Sequence, residues 1–122
     1  MKYTHTQTSV PEKNEYPKLV RDLIPHIIKE NDGIDANVSC VKGADEHLEY
    51  LQKKVVEEAN ELNDAEGREH IIEEMVDVLE VIDAMCTVVN INKDDLRQVQ
   101  KLKREKRGGF DAGIVMNKKA KK

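Results

Sequence analysis

The residues of this chain best suited to chemistry are acidic, and they come in two short runs. The first is Glu57-Glu58-Ala59-Asn60-Glu61 and the second is Glu73-Glu74-Met75-Val76-Asp77. Each run holds two carboxylates three residues apart, Glu58 with Glu61 and Glu74 with Asp77. On a helix that spacing stacks both on one face, about one turn apart. Two such pairs on facing helices bring four carboxylates toward one point. Carboxylates gathered like that do not all stay ionised unless a cation lies between them. Oxygen-only donors suit a hard cation, which means magnesium, with manganese as a substitute.

The elements that must position these acids can be read from periodicity at about 100° per residue. In the first segment Leu48, Leu51, Val55, Ala59 and Leu62 form one apolar stripe. Glu58 falls at its edge, Glu61 lies one step further round, and Glu57 points most nearly to solvent. In the second segment the apolar sector is wide: Ile71, Ile72, Met75, Val78, Leu79, Ile82, Met85 and Val89. Glu73 and Glu80 share the polar side, with Asp83 near its border. Glu74 and Asp77 fall instead on a flank continued by Val81, Ala84 and Val88. Phase therefore nominates Glu58, Glu61, Glu74 and Asp77 as inward-facing, where a carboxylate is costly unless paired or metal-bound. The competing reading is a solvated acidic surface with i,i+4 contacts. That reading is weakest for Asp77, a modest helix former set among apolar neighbours.

With 122 residues the chain is one domain with a modest core. A charged fraction of 36% against an aromatic fraction of 3% suits an aliphatic helical protein better than a β-sandwich. Charge is unevenly spread. Residues 1–96 carry 10 Lys/Arg and 22 Asp/Glu, net −12, whereas residues 97–122 carry 10 and 2, net +8. Such zoning fits a cation with a polyphosphate ligand, and fits equally a basic end with no specific role. Cys40 and Cys86 lack metal-ligand spacing, and Cys86 reads as a small core residue. The apolar-rich segment 71–91 is interrupted by five acids, so no membrane span is expected. With no leader pattern, a cytoplasmic, reducing setting is the default expectation.

In chain order, residues 1–16 read as a flexible arm, 17–116 as the domain and 117–122 as a basic, disordered tail. Asp22 is placed to cap a short helix running to about Asn31, with Pro25 in its first turn and Asn31-Asp32-Gly33 ending it. Val38, Cys40 and Val41 suggest a short strand, and Ile114-Val115-Met116 could pair with it as a two-stranded ladder. Asp45 is placed to cap the first long helix, which runs to about Ala65. Glu66-Gly67 makes the turn, and the second long helix runs from about Arg68 to Val89. Asn92, followed by Asp95, reads as the N-cap of a last helix over about 93–106. The predicted architecture is an all-α helical bundle whose two long antiparallel helices carry the acids.

Three pieces of the sequence resemble a known family. Glu57-Glu58-x-x-Glu61, twelve residues, then Glu74-x-x-Asp77 resembles the signature of the all-α nucleoside triphosphate pyrophosphohydrolases, the MazG-like superfamily. Lys18-Leu19-Val20-Arg21-Asp22-x-Ile24-Pro25 and Lys106-Arg107-Gly108-Gly109-Phe110 resemble the two ends of a small single-domain branch, described as phosphoribosyl-ATP pyrophosphohydrolase-like. The resemblance spans roughly residues 17–116. It implies magnesium-dependent hydrolysis between the α and β phosphates, releasing a nucleoside monophosphate and pyrophosphate, in nucleotide-pool house-cleaning. It implies Glu58, Glu61, Glu74 and Asp77 as the metal ligands, the same four that phase selects. Glu57 would be an outer-shell orienter or a base, although its outward phase equally suits a surface glutamate.

A triphosphate also needs cations. Lys54, one turn before Glu57 and Glu58, is the first candidate, with a solvated lysine as its alternative. Lys18, Arg21, Arg104 and Arg107 follow, since arginine suits bidentate phosphate contacts. Arg107 beside Gly108-Gly109 can equally be a dipole-complementing residue at a helix stop. The family assembles as dimers or tetramers, and the apolar sector of the second long helix is too wide for one small monomer to cover. A homodimer or homotetramer completing the bundle is therefore expected. Two other readings compete: a non-catalytic helical module binding nucleotides or a protein, and a nucleic-acid binder using the basic end. The second is disfavoured, because the acidic body repels a duplex and no reader helix stands out.

Overall fold

The computed structural model describes residues 16–119. The chain is all-helical over that span, with four helices: α1 (Ile24–Asp32), α2 (Ala44–Asp64), α3 (Arg68–Val88) and α4 (Lys93–Arg107). No strand occurs among the described residues, so the ladder expected between 38–41 and 114–116 is absent. Val38, Ile114, Val115 and Met116 are all exposed, and an isolated two-stranded pair is marginal in water. The arm expected over residues 1–16 lies outside the described residues except for Tyr16, as does the end of the expected tail, 120–122.

The centre of the molecule is a hairpin of α2 and α3, each 21 residues and so about 32 Å long. Three residues, Ala65-Glu66-Gly67, join them, and Gly67 takes φ +83°, a conformation that a side chain disfavours. So short a connection forces the helices to run antiparallel. Among the described residues only α2 and α3 pack extensively on each other. Leu51, Val81 and Cys86 are the buried apolar residues among those described, with Leu48, Val55, Leu62, Val78 and Ile82 half-buried.

Helix boundaries follow capping chemistry, with two corrections. Asp22 does not cap α1. The Ile24 N–H donates to Arg21 O at 3.0 Å, so a backbone turn opens the helix and Leu23 occupies the cap position without a side-chain bond. Asp45 does not cap α2 either. Gly43 precedes the helix, Asp45 sits in its first turn, and Glu46 Oε1 reaches back to accept from the Lys42 N–H at 3.0 Å. At α4 the expected cap is present, with Asn92 Oδ1 accepting from the Asp94 N–H at 2.7 Å and the Asp95 N–H at 3.4 Å.

Part of the wide apolar sector of α3 is left exposed. Ile71, Ile72, Met75, Val76 and Leu79 are between 40% and 50% exposed, and Ala59 on α2 is exposed as well. Glu74 and Val81 lie on one line of α3 with half-buried Val78 and Met85 beside them, while Cys86 is buried further round the helix. Helix α4 is amphipathic, yet its stripe of Leu96, Val99 and Leu102 is exposed. No helix among the described residues is long and apolar enough to cross a membrane.

Candidate metal centre

The hairpin sets the register of the acids. Glu58 and Glu74 lie eight residues either side of Glu66, the middle of the turn, so they meet face to face across it. Both are buried, Glu58 6% and Glu74 5% exposed. Glu61, one turn after Glu58, is half-buried. Glu58, Glu61 and Glu74 each place a carboxylate oxygen within 4.8 Å of the other two.

Gathering these groups has an electrostatic cost that shows at Glu61. Its carboxyl is raised from 4.5 to about 8, first by burial, then by the Glu58 charge and a hydrogen bond with Glu58, then by the charges of Glu74 and Glu57. Without a counter-cation one proton is thus retained in the cluster near neutral pH. Glu58 Oε2 is buried and accepts no hydrogen bond. A buried acceptor left unsatisfied in this way is costly.

The residues fit a hard divalent cation. The donors are all carboxylate oxygens, with no thiol or ring nitrogen within the group. Three glutamate carboxylates at these separations, on flexible side chains, would be able to converge on such a cation.

Basic groups ring the cluster. Lys54 Nζ lies 2.8 Å from Glu57 Oε2 and 3.5 Å from Glu58 Oε1, on the side chain turn before them. Glu57, the candidate base, is thus half-buried and held by Lys54 rather than pointing freely to solvent. His70 went unnoticed in the sequence. Its Nδ1 accepts from the Glu66 N–H at 3.3 Å, which leaves Nε2 facing Glu74 Oε1 at 3.5 Å. A histidine four residues before an inward acid was the available signal.

Asp77 does not join the three glutamates. Arg21 Nη2 lies 2.7 Å from its Oδ1. Lys18 is half-buried, with its Nζ 5.4 Å from the centre of the Tyr16 ring. Arg104 and Arg107 sit on the exposed last turns of α4 and are not brought to the acids by the chain itself. Their placement in the last turn, followed by Gly108 at φ +82°, matches the dipole-complementing alternative.

No family model, curated protein or solved structure matches the chain.

Proposed function

We propose that this protein is a magnesium-dependent nucleotide pyrophosphohydrolase that cleaves between the α and β phosphates of a nucleoside triphosphate or phosphoribosyl-ATP. The observation that carries the reading is the convergence of Glu58, Glu61 and Glu74 across the hairpin. The MazG-like pattern in the sequence names these same positions as ligands, and helix phase selects them independently of that pattern. Manganese is the expected substitute. A hard divalent cation bound there supplies neutralisation of phosphate oxygens and acidification of water.

The chain's own residues supply the rest. Glu58 and Glu74 are held rigidly by two packed helices, which preorganises the donors. Lys54 offers an ammonium within reach of the cluster and a countercharge to phosphate. By pairing with Lys54, Glu57 is fixed beside the centre, where it can accept a proton. The apolar face of α3 and the apolar stripe of α4 are covered by a second copy, giving a homodimer or homotetramer. The described residues bury few apolar side chains within one copy, which favours such a partner.

The test is product analysis. Canonical and modified nucleoside triphosphates and phosphoribosyl-ATP are incubated with the protein, with and without magnesium. Metal-dependent formation of monophosphate and pyrophosphate is expected, and a folded Glu74→Gln variant should lose at least about a hundredfold of the rate, as removal of a charge-stabilising group does. Retained activity in that variant refutes the metal assignment. Absence of turnover from folded, cation-binding protein would identify a non-catalytic nucleotide- or protein-binding module instead.

A further inference from the structure

The fourth inward acid, Asp77, is one turn beyond Glu74 on the flank of α3 that leads to buried Val81. It nevertheless stands apart from the three-glutamate group, because Arg21 takes it up. The partners are 56 residues apart in sequence, so this contact also ties the segment before α1 to α3. It is one bond, from Nη2 to Oδ1, at 2.7 Å. A guanidinium has five N–H donors in a planar fork, so the bond to Asp77 uses only part of what Arg21 can donate. The Arg21 side chain is 49% exposed and that of Asp77 26%, and ion pairs this open to water are weak.

We infer that Arg21 is an exchange latch between Asp77 and the phosphates of the substrate. In the free protein it holds Asp77 off the three-glutamate centre. When a polyphosphate docks, the fork transfers to its oxygens, a doubly charged and bidentate partner that outcompetes one carboxylate. Asp77, one helical turn from Glu74, is thereby released to the centre as a fourth oxygen donor. Cation and polyphosphate binding are coupled through this single side chain, each favouring the other. The inference rests on the reading that Glu58, Glu61 and Glu74 hold a divalent cation.

Calorimetric titration with Mn²⁺ alone tests it, on the wild type, Arg21→Gln, Asp77→Asn and the double variant. A non-hydrolysable α,β-methylene triphosphate is titrated afterwards with Mn²⁺ present. Arg21→Gln is expected to bind Mn²⁺ roughly two- to fivefold more tightly, the scale of a weak ion pair, while binding the analogue at least about tenfold more weakly. In the Asp77→Asn background the gain in Mn²⁺ affinity should vanish. A gain that persists there means that Arg21 acts only as a distant positive charge, which overturns the latch. So does an unchanged or weaker Mn²⁺ affinity in Arg21→Gln. Should Arg21→Gln unfold, Arg21→Lys keeps the charge without the fork, and its Mn²⁺ gain must again depend on Asp77. Failure of the wild type to bind Mn²⁺ overturns the metal-centre reading itself, an outcome distinct from a latch that fails in a protein that binds the ion.

Discussion

Replacing Glu61 by glutamine should change how stability depends on pH, and the sign follows from the cluster. In the folded protein Glu61 holds its proton up to about pH 8, against an ordinary value of 4.5. Between those values the folded state binds a proton that the unfolded state has released. Stability therefore falls as pH rises through this window, is fully present below about 4.5 and levels off above about 8. One such proton gives a slope of at most about 1.4 kcal/mol per pH unit. Glu61 is half-buried and can turn toward water, which reduces the integrated loss to about 2 kcal/mol. That remains a large share of the stability of a domain with so small a core. The assay is urea unfolding from pH 5 to pH 9 in a chelator, wild type against Glu61→Gln. Glutamine keeps the shape and lacks the proton, so the variant should lose the decline and match or exceed the wild type at pH 9. Subtracting the variant removes contributions from other groups. With saturating Mg²⁺ the wild-type decline should shrink or reverse, since the cation binds the ionised cluster and stabilises by about 2.7 kcal/mol at a hundred times its Kd. Equal slopes in wild type and variant would refute the claim that burial and the Glu58 charge hold that proton.

Two further outcomes test the fold and assembly. An Ile72→Asp, Leu79→Asp pair on the exposed face of α3 should shift the protein to monomer by sedimentation velocity and lower its thermal midpoint, while a monomer that behaves as the wild type does would remove the case for assembly through this face. Asn92→Ala should cost about 1 kcal/mol of α4 stability by loss of the cap, read by amide exchange over residues 93–96.

The four helices and the turn were legible in the sequence because they rest on local rules. Gly67 and Gly108 mark helix ends that need positive φ, and Asn92 carries the cap that its side chain predicts. The two caps that failed, Asp22 and Asp45, failed for a local reason too: backbone and glutamate donors and acceptors met the same need one or two residues away. The strand pair failed because β-branched composition alone cannot form a ladder without a surface to lie on.

The site was legible to the extent that helix phase decides it. A three-residue turn fixes the register, so positions eight residues either side of its middle must face each other, and that places Glu58 against Glu74 without any knowledge of packing. Phase gives direction around a helix axis but not what a side chain finds on arrival. Asp77 has the right phase and a different partner, because Arg21 comes from a segment whose path depends on tertiary structure. The apolar sector of α3 shows the same division. Its width was visible, and the greasiest face would ordinarily be assigned to the intramolecular core. Here Glu74 takes a buried place beside Val81, and Ile71, Ile72, Met75 and Leu79 are left exposed. A helix that buries a carboxylate and leaves part of its aliphatic surface in water is destabilised on both counts. It becomes stable if a cation fills the inner site and a second copy covers the outer one. The proposed metal binding and the proposed assembly would thus each stabilise this one helix, and depleting either partner should destabilise the same element.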